Sequence, residues 1–400
     1  MNDIDELLTR GVANIIPGKD ELRKLLESGK KLNVYLGIDP TATHIHLGHA
    51  VPLRKLQQFA ELGHNVTFLI GDFTALIGDT SDKDTERPVL TKEQIEENFQ
   101  TYKKQAGKIL DFSLENVQVK YNSAWLSNVS LEETIKLSQN FSFGDVAGRE
   151  LVAKRLKDKK HVGLHEALYP VLQGYDSYFM DTDIQVGGTD QTFNMQAGRL
   201  LQKNLRNKES FVLANPFLEG TDGRKMSKTW GNAIWLDDTP NDMYVKAMAI
   251  NDNIIVQYLT LATDFSLDEI SKFENELKKG ENPINIKKKL AYAIVKELYD
   301  EKSADEAQVA FEKNVQNGQL PEDLPVINIT EYLSGPGFAS IADVLLKEGI
   351  IESKSKVKLL IDQKGIRLDD KDVDNRAIEF KLGTEHILEV GRRAFKLVIK

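Results

Sequence analysis

Between residues 33 and 38 the apolar Val34, Leu36 and Ile38 interleave with Tyr35 and Gly37, the pattern of a short strand feeding a parallel sheet. Asp39-Pro40-Thr41 breaks that strand, since proline has no N–H to give a ladder and aspartate and threonine favour turns. After His46-Leu47-Gly48-His49 the apolar residues take helical spacing at Val51, Leu56 and Phe59-Ala60, and Gly63 marks the helix end. Residues 65–70 read as the next strand. Strand, turn, helix and strand predict one right-handed βαβ unit with its turn at the carboxyl end of the sheet.

Upstream, Ile4, Leu7, Leu8, Val12 and Ile15-Ile16 recur at roughly helical spacing until Pro17-Gly18, and residues 20–26 read as a second short helix. Downstream, residues 91–112 are amphipathic and 117–121 read as a strand. Residues 131–160 are helical and charged, interrupted at Phe141-Ser142-Phe143-Gly144, an excursion that suggests an insertion at about 115–165 between two halves of a nucleotide fold. Residues 183–194 read as a strand, a Gly-Gly turn and a helix. After Trp235 only helical patterns follow, at 243–259, 267–277, 284–299 and 304–315, and Pro- and Gly-bearing stretches up to residue 337 read as a linker.

Composition narrows the class. A chain of 400 residues buries a sizeable core in two to three domains, and 41% hydrophobic with 28% charged residues is ordinary for a soluble protein. No run approaches the ~18 apolar residues of a membrane span, and the first residues are acidic, unlike a signal peptide. The absence of cysteine leaves no disulfide and no thiolate zinc site, which fits a cytoplasmic protein. A net charge of −9 argues against a generally basic nucleic-acid coat, yet residues 341–400 hold 13 Lys and Arg against 11 Asp and Glu, +2 where the remainder carries −11. Lys354, Lys356 and Lys358 cluster there, and Arg392 and Arg393 open a basic terminal strand.

The candidate chemistry is that of a nucleotide site. A helix N-terminus offers unpaired N–H groups and a positive dipole end to phosphate, and His46 and His49 at i and i+3 can face one ligand across Gly48. Alone, two histidines at a helix start are as readily a surface pair. Far downstream Gly223-Arg224-Lys225-Met226-Ser227-Lys228-Thr229 reads as a mobile cationic loop suited to the charge of a departing pyrophosphate. Residues 71–87 form a Gly- and Asp-bearing loop ending in Lys83 and Arg87. Tyr169, Gln173 and Asp176 share one helical face, and if buried they need polar partners that a ligand can supply. Gly187 and Gly188 permit close approach of a ribose or adenine, with Asp190 able to accept from ribose hydroxyls.

HLGH followed by KMSKT resembles the class I aminoacyl-tRNA synthetases, and the surrounding residues are similar to the tyrosyl-tRNA synthetases over essentially the whole chain. The resemblance implies an α/β, Rossmann-like parallel-sheet catalytic domain over 1–235, whose insertion carries a homodimer contact that Phe141 and Phe143 can serve unless they are core. It implies an α-helical anticodon-recognition domain over 236–320, a linker over 321–337, and over 338–400 a small α+β RNA-binding domain like that named after ribosomal protein S-four. It implies L-tyrosine, ATP with Mg²⁺ and tRNA(Tyr) as substrates, with no tightly bound cofactor and no resident metal. Catalytic roles fall on Thr41, His46, His49, Lys83, Arg87, Lys225 and Lys228, and tyrosine binding on Tyr35, Asp79, Tyr169, Gln173, Asp176, Gln185 and Gln191. ATP falls to Gly37, Asp39, Gly48, Gly188, Asp190, Met226, Ser227 and Lys228, and RNA to Lys354, Lys356, Lys358, Arg392 and Arg393. In that family the tyrosine at position 35 and the aspartate at position 176 bond the phenolic hydroxyl.

The chain departs from the family in two places. Thr80-Ser81-Asp82-Lys83 stands where a Pro-Ser-Gly-Lys run is common, and Lys356 and Lys358 stand where arginines are common. The rival readings are a tryptophanyl-tRNA synthetase, which generally lacks the Tyr35/Asp176 pair, a small HxGH nucleotidyltransferase, and a non-catalytic RNA-binding protein on the same scaffold.

Overall fold

The computed structural model describes residues 3–41, 43–78, 91–227, 230–313, 324–333, 338–351, 353–369, 371–373, 377–379, 385–391 and 393–398. The chain forms two compact units, Met1–Asp305 and Glu306–Lys400. The first is built on a six-stranded sheet of β1 (Asn14–Ile16), β2 (Asn33–Ile38), β3 (Asn65–Ile70), β4 (Val117–Tyr121), β5 (Ile184–Gly188) and β6 (Phe211–Asn215). The spatial order is β1-β6-β5-β2-β3-β4, parallel throughout except for β1, which runs antiparallel to β6. Strands buried on both faces read as near-continuous apolar runs, as in Val66 to Ile70 and Phe211 to Ala214.

The order places the site. The chain winds outward from β2 through β3 to β4, then returns to lay β5 against the other side of β2. That reversal separates the carboxyl ends of β2 and β5 and opens a crevice between them, where parallel-sheet proteins bind nucleotides. Three helices serve the crevice: α1 (Leu47–Glu61) joins β2 to β3, α2 (Leu164–Phe179) precedes β5, and α3 (Thr192–Arg206) follows it.

Several boundaries differ from the sequence-based expectation. The 14–16 segment, given helical spacing above, is an edge strand, because Ile15 and Ile16 register against Leu213 and Val212. Val117–Tyr121 remains in the sheet, so the helical excursion starts after it rather than near 115 and consists of the helices Ser123–Leu126, Leu131–Ser138, Phe143–Ala147 and Glu150–Lys157. The expected 243–259 helix is two, Pro240–Met248 and Ile255–Ala262, divided by a turn in which Asn251 and Asp252 begin a short 3-10 segment. Val326–Asn328, expected to be linker, pairs with Arg393–Val398 and buries Ile327 and Ile329 in the core of the second unit. That unit's antiparallel hairpin, Glu385–Val390 with Arg393–Val398, and its helices Ile341–Lys347 and Lys354–Asp362 give the expected small α+β module.

Within the first unit, polar bonds tie the helical bundle to α1 and to the residues ahead of β1. Arg10 donates to the carbonyls of Thr260 and Phe265 at 2.9 and 2.7 Å, satisfying groups at the end of the helix Ile255–Ala262. Arg54 on α1 forks onto Glu297 and also donates to Ala262 O at 3.1 Å. Lys55, 3% exposed, donates to Leu7 O at 2.7 Å and Gln58 Oε1 at 2.9 Å. Burial, aided by neighbouring Arg10 and opposed by Glu6, lowers its ammonium from 10.5 to about 7. Between those two values the unfolded chain binds the proton that the folded protein has released, so this group's contribution to stability rises with pH across the window. Relative to the parent, Lys55→Met should therefore lose ground as pH is raised from 7 to 10. Thermal melts of both proteins check this, and a stability difference independent of pH would contradict it.

Candidate active site

The crevice is a cavity of about 290 Å³, near the lower edge of small-molecule pockets. Tyr35, Gly37, Asp39, Thr41, His46, Gly48, His49, Tyr169, Gln173, Asp176, Gln185, Gly188, Asp190, Gln191, Lys225 and Met226 all line it. These residues come from β2 and the turn after it, α1, α2, β5 and the turn after it, and the segment after β6, stretches that only the switch in strand order brings together. Ser227 lies just beyond the lining, its N–H donated to Asn232 Oδ1. Asp79, Lys83, Arg87, Lys228 and Arg392 lie outside the described residues, as does the side chain of Arg393. Lys354, Lys356 and Lys358 are exposed on the helix Lys354–Asp362 of the second unit.

One end of the cavity is polar and dry. Asp176, 2% exposed on α2, accepts from Trp125 Nε1 at 2.7 Å and from Asn122 Nδ2 at 3.1 Å. Burial pushes its carboxyl up to about 8 against the pull of those two donors, with Asp39 and Asp72 adding to the rise. Tyr35 on β2 donates its hydroxyl to Gln185 Oε1 at 3.1 Å, and burial, with Asp176 nearby, holds that hydroxyl well above its ordinary value. Its hydrogen is thus committed, and its oxygen is left as an acceptor. Both ends of the Gln185 amide are engaged, the other donating to Met195 O at 2.8 Å, so Gln185 acts here on Tyr35. Tyr169 donates to Asp39 Oδ2 and Thr74 Oγ1 to Asp39 Oδ1, each at 2.8 Å. Asp39, assigned above to the nucleotide, is bonded to a residue of the amino-acid set.

The other end is the start of α1. His46 Nδ1 accepts the Gly48 N–H and His49 Nδ1 accepts the His46 N–H, both at 3.2 Å. A backbone N–H can only donate, so each Nδ1 is unprotonated and each ring carries its hydrogen on Nε2. Burial, then His49 and Lys225, lower His46 to about 2, which keeps it a neutral donor at any working pH. A side chain on Gly48 would put a Cβ 2.9 Å from the His46 ring, so the glycine serves this ring-to-backbone bond as much as any ligand. Two backbone bonds pair this start with a later segment: Leu47 N–H to Ile234 O at 2.9 Å and Leu236 N–H to Ile45 O at 3.0 Å. The segment lies just after the lysine loop, so the two motifs sit side by side. Lys225 Nζ lies 3.6 Å from Asp190 Oδ2 and 4.5 Å above the Phe217 ring.

The sequence reading missed Thr74, Asn122, Trp125 and Phe217. Asn122 immediately follows β4, at the same carboxyl edge as the other site residues, and that position was the available signal. Phe217 carried no such signal.

The family model of class I tRNA synthetases (W and Y) matches residues 27–316. The tyrosine–tRNA ligase of Dehalococcoides mccartyi is 39% identical over 100% of this chain and 99% of its own, and that of Thermotoga maritima 38% over 98% and 96%. In fold the chain is similar to a C-terminally truncated mitochondrial tyrosyl-tRNA synthetase of Aspergillus nidulans, with TM-score 0.66, 22% identity, and 78% of this chain and 93% of that one covered. It is likewise similar to the Archaeoglobus fulgidus enzyme solved with L-tyrosine, with TM-score 0.60, 21% identity, and 76% and 98% covered. The chain belongs to the tyrosyl-tRNA synthetases, a family of class I.

Proposed function

We propose that the cavity joins L-tyrosine to tRNA(Tyr) in two steps. The carboxylate oxygen of bound tyrosine attacks the α-phosphorus of ATP as the bond to pyrophosphate breaks, giving tyrosyl-adenylate. A hydroxyl of the terminal adenosine of tRNA then takes the tyrosyl group and AMP leaves. The observation that carries this reading is one cavity with a buried Tyr35–Asp176 pair at one end and the His46–His49 helix start at the other.

Each end has its work. With the Asp176 carboxyl still protonated at neutral pH, a phenolic hydroxyl accepts from Asp176 and donates to the Tyr35 oxygen, and Tyr169 with Gln173 receives the ammonium, supported by Asp39 and Asp79. Nε2–H of His46 and His49 and the N-terminus of α1 serve the phosphates. Asp190 takes the ribose hydroxyls and so frees Lys225, which with Lys83, Arg87 and Lys228 meets the departing pyrophosphate. Among the described residues lining the cavity none is placed as a covalent nucleophile, so catalysis is positioning plus charge stabilisation. Mg²⁺ arrives on the ATP phosphates as part of the substrate. Among the described residues no group of three or more His, Asp or Glu is placed to hold a metal.

The assembly is a homodimer working in the cytoplasm. Leu131, Phe143 and Leu164 on the helical excursion and the start of α2 are 76, 72 and 79% exposed, an apolar surface suited to a second copy. Phe141 instead packs against the buried cluster that includes Trp125, Leu137 and Tyr175. Among the described residues no helix is long and apolar enough to cross a membrane. The lysines of the second unit serve the tRNA backbone as point charges. Single-turnover kinetics test the assignment of the loop: Lys228→Ala should slow adenylate formation far more than it weakens tyrosine binding, and an unchanged rate would remove Lys228 from the site.

A further inference from the structure

Asn232 is 2% exposed, carries no charge, and belongs to none of the roles assigned so far. Its side chain nevertheless spends every hydrogen-bonding atom on the cationic loop. Oδ1 accepts the Ser227 N–H at 2.9 Å, and Nδ2 donates to Asp222 Oδ1 at 2.7 Å and to Lys225 O at 3.2 Å. Its own backbone carbonyl accepts the Thr221 N–H at 3.0 Å. One buried amide thus ties both arms of the loop, 221–222 and 225–227, to the segment that continues into the Ile234 and Leu236 bonds with the start of α1. Space is reserved for it: a Cβ on Gly220 would come within 2.4 Å of the Asn232 amide. The far arm is fastened separately, Tyr258 donating its hydroxyl to Glu219 O at 2.7 Å.

We propose that Asn232 is a positioning residue for adenylate formation, holding the main chain of Lys225 and Ser227 so that the Lys225 ammonium stands at the nucleotide end of the cavity beside Asp190. This rests on the reading of the cavity given above. The amide touches no substrate. It acts through Lys225, whose charge contributes most when the pyrophosphate oxygens gain charge in the transition state, so its loss lowers rate rather than substrate affinity.

Three variants and three measurements decide it. In Asn232→Ala, single-turnover adenylate formation should fall at least ~10-fold while the Kd for tyrosine changes less than about twofold. Amide exchange at Ser227 should quicken in the same variant, since its N–H bonds to the Asn232 side chain that the substitution removes. Asp222, whose side chain is a third exposed, offers a milder entry should Asn232→Ala fail to fold. Asp222→Ala removes an acceptor of the Asn232 amide and should slow the step a few-fold, whereas Asp222→Asn keeps a carbonyl acceptor there and should restore the rate. Faster exchange at Ser227 with an unchanged adenylation rate overturns the proposal, and so does an Asp222→Ala rate equal to the parent. Equal losses in rate and tyrosine affinity also overturn it, as the mark of a merely structural residue. A parent chain that forms no adenylate overturns the reading of the cavity and this proposal with it, an outcome visible before any variant is made.

Discussion

Asp176→Ala is expected to lower the preference for tyrosine over phenylalanine by about 10² or more, measured as the ratio of kcat/KM values in amino-acid-dependent ATP–pyrophosphate exchange. The carboxyl is buried and held by two donors, Trp125 and Asn122, so its position does not depend on the ligand. A phenol entering between it and Tyr35 satisfies polar groups that phenylalanine leaves stranded, and each buried polar group left without a partner costs about 1–3 kcal/mol. Tyrosyl-tRNA synthetases are themselves the known instance of such discrimination, about 10⁵ against phenylalanine without editing, a figure that belongs to the family and not to this cavity. Tyr35→Phe should cost less, about tenfold in the same ratio, because it removes one neutral partner and leaves Asp176 in place. It also leaves Gln185 Oε1 without its donor, so a tyrosine affinity that falls with an unchanged ratio would place Tyr35 in support of the pocket and not in selection.

His46→Ala should slow adenylate formation by about 10²–10³ with little change in tyrosine affinity, the usual cost of removing one preorganised donor from a site of developing charge. The direction follows from the ring's hydrogen bonds. With Nδ1 accepting from Gly48, the single ring hydrogen on Nε2 is aimed away from the backbone, and burial keeps the ring neutral. His46 is therefore a hydrogen-bond donor and not a general base, and His46→Asn, which keeps an N–H, should recover part of the loss. The pH–rate profile separates the two roles. A donor of this kind gives the parent no inflection between pH 5 and 8 that disappears in His46→Asn, whereas a general base would give one. Rates of single-turnover adenylate formation across that range supply the answer.

Much of this was legible in the chain because it was local. The alternation at Val34–Ile38, the break at Asp39-Pro40 and the helical spacing after His49 define β2, the turn and α1 within 30 residues, and strands 65–70 and 117–121 matched the structure to the residue. The two motifs and the face bearing Tyr169, Gln173 and Asp176 were readable for the same reason, each being a pattern on one element. What sequence could not supply was set by tertiary partners. Asn14–Ile16 has no intrinsic mark of a strand until β6 offers it an edge. Val326–Asn328 looked like linker because three residues are too few to show alternation, and only burial of Ile327 and Ile329 reveals their role. The capture of Asp39 by Tyr169, of Gln185 by Tyr35 and of the lysine loop by Asn232 each joins residues remote in sequence or hides an uncharged amide in a charged run. Such bonds follow from the strand order and the closure of the loop, neither of which is written in any single segment.

The most direct test is ATP–pyrophosphate exchange by the whole chain, without tRNA, comparing tyrosine, phenylalanine and tryptophan. Exchange with tyrosine alone is the expected result, and it would join the adenylate chemistry of the His46 end to the selection at Tyr35 and Asp176. Exchange supported by tryptophan and not by tyrosine would contradict the reading of the pocket, and no exchange with any of the three would contradict the reading of the site as a whole.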